Sequence, residues 1–244
     1  MNTIIMIPSR MASSRFPGKP LAKLNGKPMI QIVWEKALSS KIGEVYVACS
    51  EIEVFNLINK NGGNAIMTDP NLPSGTDRIH AALQKINLNN KIEFVINLQG
   101  DMPLIKTEHI RMVLEPLKNN LLMSTIATDL KLNEIENSNV TKIKVDWLNP
   151  KFGIAKDFFR LKDKINSKIF HHVGIYGYTL DALNKFVKLP KSKNELELKL
   201  EQFRAMDANI NIGVIYAPNI QPGVDTKEDL IYAESIIRTN NENN

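Results

Sequence analysis

Arg10, Arg15, Lys19, Lys23 and Lys27 are the only charged side chains before Glu35. Lys and Arg total 31 and Asp and Glu 26, a net charge of +5, so the rest of the chain is balanced and the whole excess sits in this stretch. That distribution points to a local anion site and away from an evenly basic surface. In Pro8-Ser9-Arg10-Met11-Ala12-Ser13-Ser14-Arg15-Phe16-Pro17-Gly18-Lys19-Pro20-Leu21 the cations recur among small residues and prolines. Backbone N–H groups and cationic heads can therefore converge on one anion, and a triphosphate suits that arrangement. One cation about 4 Å from a phosphate oxygen contributes ~4 kcal/mol at an effective dielectric near 20, before desolvation. A solvated basic loop is the plain alternative, and the lack of nearby acids weighs against it. The segment matches neither G-x-x-x-x-G-K-[ST] nor G-x-G-x-x-G, so P-loop hydrolases and Rossmann dehydrogenases find no support.

Three further segments carry polar residues where predicted strands end or a helix begins. Asn97-Leu98-Gln99-Gly100-Asp101 puts a carboxylate after an apolar strand. Such a group is placed to hold Mg²⁺, which needs only one or two carboxylates and takes phosphate oxygens and water besides. Helix initiation by Asp101 is the competing reading. In Pro73-Ser74-Gly75-Thr76-Asp77-Arg78, a Ser-Gly-Thr turn exposes backbone to a base edge, with Arg78 one turn into a helix. Taken alone, capping of that helix by Ser74, Thr76 or Asp77 is the better account. Gly223-Val224-Asp225-Thr226-Lys227-Glu228-Asp229 reads as a cap with a capping box, and gains chemical meaning only if Asp225 meets Asp101. His171-His172 enters a strand, and without a neighbouring Cys or His cluster there is no zinc site. Glu195, Glu197, Glu201, Gln202 and Arg204 mark a charged helix, mostly solvated, on which Glu201 and Gln202 can point inward.

Strands are expected over 3–7, 45–48, 64–67 and 94–98, alternating with helices over 28–38, 51–61, 77–86 and 108–117. This βαβα rhythm predicts an α/β fold with a mostly parallel, doubly wound sheet, whose ligands lie beyond the carboxyl ends of the strands. Strands over 123–128, 142–146 and 172–178 without regular helices between them predict a smaller antiparallel region. A helix over 193–208, a strand over 210–216 and a helix over 226–238 follow, and an Asn-rich end, 239–244, is expected to fray. One domain over 1–238 is the simplest organisation. The single Cys49 excludes an internal disulfide and suits a reducing compartment. Ile4-Ile5-Met6-Ile7 stops at Pro8, too short for a secretory core, so a cytoplasmic protein is expected.

Taken in order, Arg10 to Leu21, Ser74 to Arg78, Gln99-Gly100-Asp101, His172-Val173-Gly174-Ile175-Tyr176-Gly177-Tyr178, Leu200-Glu201-Gln202-Phe203-Arg204 and Val224-Asp225-Thr226 closely resemble the 3-deoxy-manno-octulosonate cytidylyltransferase family of Gram-negative lipopolysaccharide synthesis. The resemblance runs from residue 3 to about 235. It implies a Rossmann-like nucleotidyltransferase fold, a homodimer with its contact in about 121–180, and Mg²⁺. The implied reaction is CTP plus 3-deoxy-manno-octulosonate (Kdo) to CMP-Kdo plus pyrophosphate. By similarity, Arg10, Arg15 and Lys19 hold the triphosphate, and Ser74, Gly75 and Arg78 the cytidine. Asp101 and Asp225 share the metal. Gln99 lies near the sugar, and His172, Tyr176, Glu201 and Gln202 line the sugar pocket. The chain departs from the family pattern at Met102, where an acid commonly stands, at Asp157-Phe158-Phe159-Arg160, where many members have aromatic-Ser-Arg, and at Leu198, often Glu.

Two alternatives keep the fold and change the acceptor, to an amino-Kdo or a nonulosonate, or to a sugar 1-phosphate. A nucleic-acid-binding module would spread its basic residues along a face interleaved with aromatics. Aromatics are only 7% here and the excess charge is confined to one loop, which counts against it.

Overall fold

The computed structural model describes residues 2–12, 15–86, 92–161 and 168–242, with the backbone alone for 240–242. Ser13 and Ser14 of the basic loop, and Asn243 and Asn244 of the expected tail, lie outside the described residues. The chain forms two compact units, Met1–Ile110 with Gln221–Asn244, and Arg111–Ile220. The second is wider than the 121–180 region expected within a single domain.

In the first unit the apolar run Ile4-Ile5-Met6-Ile7 is fully buried in β1 (Thr3–Ser9), as a parallel strand covered on both faces must be. The basic loop follows and tightens into a 3-10 turn over Lys19–Leu21. A short hairpin, β2 (Lys23–Leu24) and β3 (Lys27–Pro28), turns through Asn25 and Gly26, both at positive φ. Then come α1 (Met29–Ser39), β4 (Glu44–Cys49), α2 (Ile52–Lys60), β5 (Asn64–Met67), α3 (Gly75–Leu83), β6 (Phe94–Asn97) and α4 (Thr107–Met112), within which the unit ends. Strands β5, β4, β1 and β6 lie side by side and all parallel. The order reverses at β1 and β6, the switch point where such sheets bind ligands. Helices α1 and α3 cover opposite faces. A Cβ at Gly100 would touch both Ile7 and Ile30 of α1, whereas one at Gly75 of α3 would meet Pro8, whose side chain alternates with that of Ile7.

The second unit holds α5 (Glu115–Lys118), β7 (Met123–Thr128), β8 (Lys142–Asn149), β9 (Phe152–Phe159), β10 (Phe170–Thr179), α6 (Leu180–Phe186), α7 (Lys193–Leu198), α8 (Phe203–Asp207) and β11 (Ile212–Tyr216). Its five strands pair in a closed circuit, β10-β7-β11-β9-β8 and back to β10. All these pairings are antiparallel except β11 with β7, in line with the expected change of character. The chain then returns to the first unit through α9 (Lys227–Glu242).

Four expectations need correction. The helix over 108–117 is two, α4 and α5, with Pro116 in the first turn of the second. The helix over 193–208 is also two, because Lys199 takes a left-handed conformation at φ 53° and ends α7. Strand β9 and helix α6 were not anticipated. Residues 239–242 continue α9 rather than fraying.

Candidate active site

A cavity of about 330 Å³ opens at the carboxyl ends of β1 and β6. Ser9 borders it from the end of β1, Arg10 and Arg15 from the loop that follows, and Lys19 from the 3-10 turn. Gly75 and Arg78 come from the start of α3, Gln99 to Asp101 from the turn after β6, and Asp225 from the segment before α9. Every residue expected to hold triphosphate or metal is therefore in one wall system.

Asp101 and Asp225, 124 positions apart, meet for local reasons. The Val224 N–H donates to the Asp101 carbonyl at 2.8 Å. A Cβ at Gly223 would lie 3.2 Å from that same carbonyl oxygen, so the approach uses the absence of a side chain there. Thr226 caps α9, its hydroxyl accepting from the Asp229 N–H while the Asp229 carboxylate accepts from the N–H groups of Asp225 and Thr226. The cap is thus complete without the Asp225 carboxylate, which turns to the cavity. Phe16, Leu24, Met29, Val224 and Ala233 form one apolar cluster, fastening the basic loop to α9 and to the segment bearing Asp225.

The two carboxylates share one cation. Lys19 Nζ donates to Asp101 Oδ2 at 2.7 Å and to Asp225 Oδ1 at 3.1 Å. Arg15 Nη2 lies 3.1 Å from the other Asp225 oxygen. Burial alone would lower the Lys19 pKa, but the charges and hydrogen bonds of Asp101 and Asp225 outweigh it and hold the ammonium above its usual value. Lys19 is therefore charged throughout the physiological range. Hard oxygen donors converging on one cation suit Mg²⁺, which completes its shell from water and phosphate. Among the described residues no cluster of three or more His, Cys, Asp or Glu offers a closed protein-only metal cage.

At the other end of the cavity the expected cytidine contacts divide. Gly75 faces the space. Ser74 is taken up by α3: its hydroxyl accepts from the Asp77 N–H and donates to the Asp77 carboxylate. Arg78 is 1% exposed, and its guanidinium donates to Thr68 Oγ1, to the Asp69 carbonyl and to the Pro70 carbonyl. It braces the loop before α3 while also lining the cavity. Gln99 is oriented by a 2.9 Å bond from its Nε2 to Asn97 Oδ1, which leaves its Oε1 near Gly75.

The residues expected around the sugar lie in the second unit. A bulge in β10 shifts the register between Val173 and Tyr176. Thr125 donates to the bulge carbonyls of Val173 and Ile175, so its oxygen is left to accept from His172 Nε2, 3.1 Å away. Burial, aided by His171, pushes the His172 pKa down to about 3, and the ring stays neutral. Phe158, in the segment that departs from the family pattern, packs edge-on to His172 at 5.1 Å. Tyr176 is tilted over His172 at 5.4 Å, and burial, Tyr178 and Glu201 hold its phenol well above its usual pKa. Gln202 is 6% exposed, and its Nε2 has no partner among the described residues. Glu195 is no solvated helix residue: it forms a buried two-pronged pair with Arg204 at 2.5 and 2.8 Å.

Sequence reasoning missed Ser9. It is 4% exposed in the cavity wall, and its hydroxyl has no hydrogen-bond partner among the described residues. A serine ending a strand gives no periodic or motif signal, so only the cavity reveals it. The Glu195–Arg204 pair was visible as two charges but not as partners, because the break at Lys199 was not foreseen.

A cytidylyltransferase family profile matches residues 4–212. A 3-deoxy-manno-octulosonate cytidylyltransferase of Paramagnetospirillum magneticum is 39% identical over 98% of this chain and 98% of its own. One of Rhodopseudomonas palustris is 41% identical over 96% and 97%. A solved structure described as CMP:2-keto-3-deoxy-manno-octonic acid synthetase complexed with CTP superposes with a TM-score of 0.88 at 34% identity, over 98% of this chain and 99% of that one. With family profile, full-length relatives and fold in agreement, the chain belongs to the cytidylyltransferase family, in the group of the 3-deoxy-manno-octulosonate cytidylyltransferases.

Proposed function

We infer that the protein transfers CMP from CTP to the anomeric hydroxyl of Kdo, releasing pyrophosphate and supplying lipopolysaccharide synthesis. The observation that carries the site assignment is the convergence of Lys19, Arg15, Asp101 and Asp225 beside Arg10 in one cavity. Relatives named for this reaction, and a neighbouring structure complexed with CTP, support the substrates.

In this reading the attack on the α-phosphorus is in line, and the protein's work is positioning and charge stabilisation. Arg10, Arg15 and Lys19 bind the triphosphate and offset the charge that builds on departing pyrophosphate. Gly75 lets the cytosine ring approach the backbone, and Gln99 orients the sugar side. Asp101 and Asp225 would hold Mg²⁺. When bound, that ion would polarise the phosphoryl oxygen and lower the pKa of the attacking hydroxyl. His172, Tyr176, Glu201 and Gln202 receive the acidic sugar, and the unsatisfied Gln202 amide supports a ligand oxygen there. No side chain acts as nucleophile, so no covalent intermediate is expected.

The reading includes a homodimer. It also includes a cytoplasmic setting, in which the buried Cys49 thiol stays reduced. No helix among the described residues is long and apolar enough to cross a membrane.

The test is pyrophosphate release with Mg²⁺ across the four nucleoside triphosphates and a panel of acidic sugars. Release with CTP and Kdo is expected. Turnover with a nonulosonate alone would change the acceptor, and a preference for UTP or GTP would refute the cytidylyl assignment.

A further inference from the structure

We propose that Lys19 is the resident counter-ion of the Asp101–Asp225 pair, closing the site to a divalent cation until a triphosphate draws the ammonium away. The proposal rests on the assignment of those two carboxylates to the metal.

Among the described residues, the hydrogen bonds of the Lys19 ammonium run to the two carboxylates, at 2.7 and 3.1 Å. Its side chain is only 14% exposed, so the charge is poorly screened. Arg15 also pairs with Asp225, and at 47% side-chain exposure it is the weaker counter-ion. A divalent cation arriving without nucleotide must break both ammonium bonds and then sit beside the displaced positive charge. A triphosphate changes this balance. Its oxygens give the ammonium a new partner, and the two carboxylates are left facing each other without their cation. Two like charges that had shared one ammonium favour whatever cation then enters. Metal and triphosphate are therefore taken up together, and the linkage is built into one lysine rather than into a moving domain.

Removing the ammonium should then improve metal binding in the nucleotide-free protein, although it harms catalysis. An adjacent positive charge lowers a carboxylate's pKa by about one to three units; carried over to a metal ion, the same interaction makes about tenfold the least gain expected. The experiment measures Mn²⁺ binding by electron paramagnetic resonance without nucleotide, with folding checked by circular dichroism. Lys19→Met and the polar Lys19→Gln should each bind Mn²⁺ about tenfold or more tightly than wild type. Lys19→Arg, which keeps the charge, should stay near wild type, and adding Asp225→Asn to Lys19→Met should cancel the gain. Unchanged or weaker Mn²⁺ binding in both neutral variants would overturn the proposal. If Asp101→Asn and Asp225→Asn also leave Mn²⁺ binding unchanged with CTP present, the metal assignment itself falls. If they weaken it, that assignment stands and only the counter-ion role is refuted.

Discussion

The two units use their polar residues in opposite ways. In the first, the cavity is bordered by charges that are partly exposed and pair with one another: Asp101 and Asp225 with Lys19, and Asp225 with Arg15. In the second, the residues assigned to the sugar include a neutral buried histidine and an unsatisfied amide, set among aromatic rings. Its strongest ion pair, Glu195 with Arg204, is buried and satisfied internally. Charge in the first unit is thus held ready to be exchanged with a ligand, whereas charge in the second is committed to structure. Substitutions should accordingly cost activity in the first unit and stability in the second.

The largest effect is expected in the second unit. Glu195→Ala removes the two-pronged partner of the buried Arg204 guanidinium and leaves it only Glu201, 3.6 Å away, a loss of about 3 kcal/mol in unfolding free energy by denaturant titration. A loss below about 1 kcal/mol would blur the contrast between the units. In the first unit Asp101→Asn should reduce pyrophosphate release by roughly 10² to 10³ fold while denaturant midpoints stay close to wild type, because the side chain keeps its shape and the cavity is open. Near-normal turnover would remove Asp101 from the metal.

A smaller effect separates the units by pH. His172 is neutral when folded, with a pKa near 3, but titrates at about 6.5 when unfolded. Between those values the unfolded chain binds a proton that the folded one does not, so this contribution to stability falls as pH drops below 6.5. From pH 7 to pH 5 the loss is about 2 kcal/mol. His172→Gln should flatten the stability profile in that window by about this amount. An unchanged slope would mean that the ring is already charged in the fold.

The same contrast explains what the sequence made legible. Charge asymmetry is written directly in the chain: five cations before the first acid marked the basic loop, and an apolar run ending in Gln99-Gly100-Asp101 marked the strand that carries the carboxylate. The parallel strands of the first unit came through because short apolar runs alternate with amphipathic stretches across short connections, most plainly in the buried β1. The convergence of Asp225 on Asp101 did not, since it depends on one backbone hydrogen bond from Val224 and on the bare Cα of Gly223. In the second unit local signals misled. Lys199 in a left-handed conformation divides a run that reads as one helix, and the bulge after Val173 sets the place of Tyr176 without any motif of its own. Ser74 and Arg78 show the limit of motif reading even where the segment is right. One hydroxyl caps a helix and one guanidinium braces a loop, while the glycine between them faces the cavity.

If the nucleotide binds in the first unit alone, CTP should protect that unit and no other part of the chain. Amide hydrogen exchange on the wild-type protein, with and without saturating CTP and Mg²⁺ and with no sugar present, tests it most directly. New protection is expected in the segments of Ser9 to Lys19, Gly75, Gln99 to Asp101 and Gly223 to Asp225, with residues 111–220 unchanged. Protection centred instead on His172 to Tyr178 or on Glu201 to Arg204, with the loop after β1 unaffected, would contradict it.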